Sequence, residues 1–310
     1  MITFRLPYIQ PWGWKQFHQH LTLRLLPDVE TLEPERYCRT VRAGDAVGWI
    51  SVQPRPEQSL LELAISDSLE DQAGAVVTRV RRMFDLDADP TAIARHLAAD
   101  SVLRPLVYSN PELRLPCAFD PFEQAIRAIV GQQVTVKAAV TITRRLVERY
   151  GEQWLCPPGE GAGALFKLFP SAQTLATASL DNIGMPSKRV ATLQRLSSAV
   201  ADGAFELRID NGPEALIRRL CELPGIGPWT AEYIALRGFG EADAFPAADI
   251  GLLKAPLWGS DGMTARELLR RSEKWRPWRA YAAVHIWHNY TDLSAQAKVA
   301  ISAQAPRVDR

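Results

Sequence analysis

Cysteine is scarce in this 310-residue chain, and Cys38, Cys117, Cys156 and Cys221 stand far apart with no C-x-x-C pair. That spacing excludes the usual zinc and iron–sulfur frameworks and fits a reducing compartment. Long apolar runs are missing too. No stretch approaches the roughly 18 consecutive apolar residues of a membrane span, so no membrane partner is expected. The start, Met1-Ile-Thr-Phe-Arg-Leu-Pro, has no basic region followed by an apolar one. No export signal is therefore expected, and the expected location is cytoplasmic. Internal repeats and long low-complexity segments are also lacking. An excess of positive charge, the simplest mark of a nucleic-acid binder, is absent at a net charge of +1.

What is present reads as an ordinary globular protein, with 47% hydrophobic and 23% charged residues in a length beyond one typical domain. The charge is unevenly distributed. Residues 60–100 carry a net charge of −4, whereas residues 254–279 carry +4 through Lys254, Arg266, Arg270, Arg271, Lys274, Arg276 and Arg279. A polyanion would prefer the second region; solvated helix faces explain it equally well.

The two parts of the chain differ in hydrophobic period. Thr40–Val52 suggests two short strands around a Gly44-Asp45 turn, Ser59–Ile65 suggests a third, and residues 74–84 have helical spacing. The first 86 residues therefore read as a small α+β domain with an antiparallel sheet. From about Pro90 the period is helical almost throughout. Asp120-Pro-Phe-Glu marks a helix start, with a cap, a first-turn proline and a Glu three residues after the cap. Gly131-Gln-Gln interrupts the pattern, and a second helix follows to Gly151. Residues 151–165 read as a loop, and the polar tail 296–310 as flexible.

The most informative stretch runs from Leu220 to Gly240. Leu216, Ile217 and Leu220 give one helix an apolar stripe, and Pro224-Gly-Ile-Gly makes a hairpin too tight for side chains at its glycines. Pro228 opens the next helix and Gly238 closes it. Backbone amides at such a helix N-terminus suit a phosphate and read no sequence. A purely structural helical hairpin explains these residues equally well.

Leu223-Pro-Gly-Ile-Gly-Pro-Trp-Thr-Ala, followed by a Gly-rich loop and Phe245-Pro-Ala-Ala-Asp249, resembles the helix-hairpin-helix DNA glycosylases. Within them it is similar to the AlkA-like DNA-3-methyladenine glycosylase II family. The likeness extends to Arg114–Gln133, Gly184-Met-Pro-Ser-Lys-Arg and Arg276–Trp287. It implies a mainly α protein, with a small antiparallel-sheet domain (1–86) ahead of a two-lobed helical body (87–310). The inner lobe would span about 118–237, and the outer lobe 87–117 plus 238–295.

By the same resemblance Asp249 corresponds to the catalytic carboxylate, although on residue type alone it reads as a helix cap before Ile250-Gly-Leu-Leu-Lys. Trp229, Tyr233 and Trp287 match positions that line the base pocket, where stacked indoles would favour cationic bases. Each also reads as an ordinary core aromatic. Gln132 and Gln133 fall at the turn that meets the substrate strand, with Gln133 in the place of an apolar wedge. His20 aligns with an aromatic pocket residue, and Phe17 lies close enough that the alignment does not separate them. The amides of Gly225, Ile226, Gly227 and Thr230 would contact DNA. The carbonyls of Cys221, Leu223 and Ile226 would hold a non-catalytic monovalent cation.

No cofactor is implied, and the partner would be duplex DNA containing damaged bases, bound by a monomer. Trp229 stands where endonuclease III has a nucleophilic lysine, so base removal without strand nicking is expected. The cysteine cluster of an Ada-type methyl-acceptor module is not in the chain. Two other readings remain: a glycosylase for oxidised or deaminated bases, and a non-catalytic DNA-binding protein that reuses the hairpin.

Overall fold

Strands in the first part follow the alternation in the sequence. The computed structural model describes residues 1–155 and 165–289. Strands β3 (Arg36–Ala43) and β4 (Ala46–Arg55) pair antiparallel with Ala43 opposite Ala46. The turn between them uses Gly44 at φ +59°, where a side chain would be strained. Strand β5 (Leu60–Ile65) pairs with β4, β1 (Ile2–Pro7) with β5, and β2 (Glu30–Glu33) with β3. The resulting five-stranded antiparallel sheet has the order β1-β5-β4-β3-β2. Val41, Ile50, Leu61, Leu63 and Ile65 from the sheet form one core with Phe17 of α1 (Trp14–Thr22) and Val76 and Val80 of α2 (Ala73–Met83).

The remainder is helical, as its period predicts: α3 (Pro90–Leu97), α4 (Leu103–Ser109), α5 (Pro121–Val130), α6 (Val136–Tyr150), α7 (Ala172–Thr177), α8 (Ser187–Ala201), α9 (Pro213–Cys221), α10 (Pro228–Phe239), α11 (Ile250–Leu253), α12 (Ala265–Ser272) and α13 (279–289). Two hydrophobic cores organise these helices. One gathers Ile126, Ile129, Leu146, Leu193, Leu216 and Leu220 from α5 to α9. The other gathers Leu97, Val107, Leu268, Trp275 and Ile286 from α3, α4 and the segments after α10. Helix α10 belongs to both, with Ala231 and Ile234 in the first and Ala235 and Leu236 in the second. It therefore joins the two cores.

Two local expectations change. Gly238 does not close α10; it is buried against α5, and a Cβ there would lie 3.6 Å from the Gln124 side chain. The helix runs on to Gly240, whose φ of +72° supplies the left-handed cap. Glu123 does not complete a capping box, because its carboxylate goes instead to Arg39 at 2.6 Å and Arg127 at 2.5 Å. Asp120 alone caps α5, accepting from the Glu123 amide at 2.9 Å.

The +4 segment is also less available than its composition suggests. Arg271 and Lys274 pair with Asp100, while Arg276 and Arg279 pair with Asp243. Acid from the −4 segment thus neutralises part of it. Residues 156–164 of the expected loop and the tail 296–310 lie outside the described residues. Among the described residues no helix is long and apolar enough to cross a membrane.

Candidate active site

Asp249 stands between α10 and α11 on a loop that several contacts hold. The Phe245 amide donates to the Glu232 carboxylate at 2.9 Å, and the Asp249 amide donates to the Pro246 carbonyl at 2.8 Å. The carboxylate then does two things at once. Oδ1 accepts from the Leu252 amide at 3.2 Å, so Asp249 does cap α11. The same Oδ1 accepts from Trp287 Nε1 at 2.8 Å, and Oδ2 accepts from Trp229 Nε1 at 3.1 Å. Two indole donors, one from α10 and one from α13, thus fix a half-buried carboxylate, a use of aromatic N–H groups that a simple cap does not need.

Gly251 keeps this arrangement open. A Cβ there would come within 3.0 Å of Asp249 Oδ1 and 3.2 Å of Trp287 Cδ1.

Trp229, Tyr233 and Arg237 lie four residues apart on α10 and share one face of it. Trp229 and Tyr233 stack at 5.4 Å with their planes 11° apart, and Tyr233 meets Trp287 edge-on at 6.2 Å. Arg237, which the sequence reading did not single out, lies with its guanidinium carbon 5.1 Å from the centre of the Trp287 ring. Each indole therefore already has a neighbour on one face. A base cannot be sandwiched between Trp229 and Tyr233 without parting them.

Tyr233 and Arg237 also line a cavity between the N-terminal sheet domain and α5, together with His20, Arg24, Gln124 and Arg127. His20 thus faces the same cavity as Tyr233, whereas Phe17 is buried in the N-terminal core and stacked on Trp12 at 5.0 Å. Burial, and then the guanidinium groups of Arg24, Arg237 and Arg127, hold the His20 imidazole well below its ordinary pKa. The imidazole is neutral in a cationic surround.

The hairpin glycines differ from each other. At Gly225, φ is +96° and a Cβ would fall 1.9 Å from Thr192 Oγ1 of α8, so the turn excludes a side chain. At Gly227 nothing lies within 4 Å of a Cβ, so packing within the chain does not demand a glycine there. The tightness expected of both belongs to Gly225 alone. The Ile226 amide donates to the Leu223 carbonyl at 3.0 Å, so it is already used inside the turn. The Ile226 side chain is buried, as is Thr230, whose hydroxyl accepts from Gln132 Nε2 at 3.0 Å. Gln132 also donates to the Gly225 carbonyl at 3.0 Å. It thereby braces the hairpin. Its neighbour Gln133 is exposed at φ +55°, an uncommon conformation for a side-chain-bearing residue. Cys221 is exposed at the end of α9.

Residues 3–120 match the family described as AlkA N-terminal domain, and residues 126–277 match the HhH-GPD superfamily of base excision DNA repair proteins. DNA-3-methyladenine glycosylase 2 of Escherichia coli is 33% identical over 294 residues, covering 92% of this chain and 96% of that one. The probable bifunctional transcriptional activator/DNA repair enzyme AlkA of Mycobacterium tuberculosis is 37% identical over 303 residues, covering 96% of this chain. The chain spans 60% of that relative's length. Among solved structures, the 3-methyladenine DNA-glycosylase from Archaeoglobus fulgidus superposes with a TM-score of 0.77 at 19% identity, covering 95% of this chain and 99% of that one. MBOgg1, solved in complex with a low-affinity DNA ligand, gives 0.73 at 19%, covering 94% and 96%. These two likenesses concern the fold.

Proposed function

The chain belongs to the HhH-GPD superfamily of base excision DNA repair proteins, with the DNA-3-methyladenine glycosylase 2 family, and from that premise we propose that it hydrolyses the N-glycosidic bond of alkylated bases flipped out of duplex DNA. The observation that carries the reading is the Asp249 carboxylate held by two indole N–H groups beside stacked aromatic rings.

Breaking the bond between a base and C1′ leaves the sugar with oxocarbenium character. A fixed carboxylate stabilises that cation and takes a proton from the attacking water. The electron pair leaves with the base. 3-Methyladenine and 7-methylguanine already carry positive charge, so they depart neutral and one carboxylate suffices.

The remaining parts fit around this step. Extrusion costs a few kcal/mol of stacking and pairing, and Gln133, exposed at the turn braced by Gln132, is the group that would enter the gap. The open surface at Gly227 would let a phosphate approach the N-terminus of α10. Gly225 and Thr230 complete that surface through the hairpin backbone. A monovalent cation on the Cys221, Leu223 and Ile226 carbonyls would neutralise the phosphate. The Leu223 oxygen has one lone pair engaged by the Ile226 amide and one left for an ion. His20 closes the far side of the cavity that Tyr233 also lines. Trp229 cannot form a Schiff base, so the enzyme is monofunctional and borohydride should trap no covalent adduct with DNA. It would act as a monomer in the cytoplasm, on the nucleoid if bacterial.

The decisive measurement is single-turnover release of 3-methyladenine by Asp249→Asn, alongside affinity for an abasic-analogue duplex. Excision should fall on the order of 10²-fold or more while binding persists. Wild-type excision by the variant would refute the assignment. Joint loss of binding and fold would leave Asp249 as a cap only.

A further inference from the structure

Arg237 is a buried cation without a carboxylate. It is 6% exposed, and among the described residues no Asp or Glu lies within ion-pairing distance of it. Nη1 donates to the Pro116 carbonyl at 2.8 Å, the side chain also hydrogen-bonds Tyr233, Nε has no hydrogen-bond partner, and the guanidinium lies over the Trp287 ring. Arginine keeps its proton even when buried. A buried charge so poorly compensated is costly. Other buried arginines here are better satisfied: Arg39 and Arg127 share Glu30 and Glu123, and Arg114, also without an ion pair, donates to the carbonyls of Ala88, Ile9 and Pro11. Arg237 stands beside the aromatic cluster that holds Asp249.

The two charges address different atoms. Asp249 sits at the N–H edge of Trp287, and Arg237 over its face. We propose that Arg237 is a specificity-determining residue: its unpaired charge stabilises negative charge on the departing base, extending excision from cationic bases to neutral ones. The proposal rests on the glycosylase reading and adds to it which bases the site accepts. For a neutral base such as hypoxanthine, the bond between C1′ and N9 breaks with both electrons going to the base. Water adds its oxygen to C1′ and loses a proton, and the purine anion takes up a proton from solvent. That anion is what a preorganised positive charge favours. A base that enters as a cation leaves neutral, gains nothing at that step, and meets repulsion from Arg237 before it.

The test compares single-turnover excision of hypoxanthine and of 7-methylguanine from otherwise identical duplexes by the wild type, Arg237→Gln and Arg237→Lys. Glutamine retains a donor for the Pro116 carbonyl and lysine retains the charge. The hypoxanthine rate relative to 7-methylguanine should drop at least about tenfold in Arg237→Gln and much less in Arg237→Lys. Equal losses on both lesions in a folded Arg237→Gln protein would make Arg237 structural and overturn the proposal.

Should Arg237→Gln melt, the wild type supplies a second readout. Free xanthine should bind its complex with abasic-analogue DNA more tightly above the ionisation of the base than below it. Binding that is weaker above it, or unchanged, also overturns the proposal. A wild type that releases neither lesion refutes the glycosylase reading, while xanthine binding still decides the charge preference.

Discussion

The carboxylate of Asp249 accepts three donors, and their separate contributions can be read at single residues. Trp287→Phe keeps an aromatic ring over Arg237 and removes one N–H. A hydrogen bond to a charged group is worth about 1.5–3 kcal/mol, so excision of 7-methylguanine should fall by ten- to a hundredfold. Affinity for an abasic-analogue duplex should stay near wild type. Unchanged excision would mean that Trp229 and the Leu252 amide position Asp249 without help. Asp249, Trp229, Tyr233 and Trp287 were all visible in the sequence through the stretches that resemble the family, and the structure brings them together. Arg237 was missed although its signal was there: positions 229, 233 and 237 repeat every fourth residue, so a helix places them on one face. A charged residue at that spacing reads as solvated surface, and only burial shows otherwise. His20 could not be separated from Phe17 because both lie on α1, and the choice depends on which of them faces the cavity.

At the scale of the element, the hairpin divides stability from binding between two glycines that look alike in sequence. Gly225→Ala would drive a methyl group into Thr192 in a left-handed backbone conformation, and should destabilise the protein by about 1–3 kcal/mol. Gly227→Ala meets nothing within the chain and should leave the melting temperature unchanged. The same alanine stands where a phosphate would approach, so DNA affinity should drop several-fold. Thermal melting and duplex titration of the two variants check this, and an equal loss of stability in both would remove the distinction. The helices around the hairpin were legible because apolar spacing and caps agree: Asp120 and Thr135 cap α5 and α6 where the pattern changes. Strand β1, strand β2 and helix α1 were not read from the sequence. β1 pairs with a distant strand, Ile2 opposite Ile65, while β2 is only Glu30-Thr-Leu-Glu33, too short to show an alternation although its partner β3 follows directly, with Glu33 opposite Arg36. Local propensity carries little information about such contacts.

For the molecule as a whole, the N-terminal sheet and the helical body meet through buried charge and not only through apolar surface. Tyr37 donates to Glu30 at 2.7 Å, Arg39 pairs with Glu123, and Arg127 reaches both acids. Burial alone would raise the Glu123 pKa, but Arg39 and Arg127 outweigh it and hold the carboxyl down at about 2. Glu123→Gln would leave two guanidinium groups short of their counter-charge, and should cost about 3–5 kcal/mol in urea unfolding. The pH dependence of stability has two stages, both directed the same way. His285 is buried, and that burial, with His288 beside it, lowers its pKa to about 3. An unfolded histidine binds a proton near pH 6.5. Between pH 6.5 and 3 the unfolded chain therefore holds a proton that the folded chain refuses, and stability falls as pH falls, by at most about 1.4 kcal/mol per unit. Glu123 adds a second loss as pH drops from its ordinary carboxylate range toward 2, because the unfolded carboxyl protonates first. His285→Gln should make the upper stage shallower, the depressed His20 keeping part of it, and leave the lower one, whereas Glu123→Gln should do the reverse from a lower baseline. Urea midpoints between pH 7 and about 2 separate the two, and an upper stage undiminished in His285→Gln would move the acid sensitivity to other histidines, with His20 the first to replace.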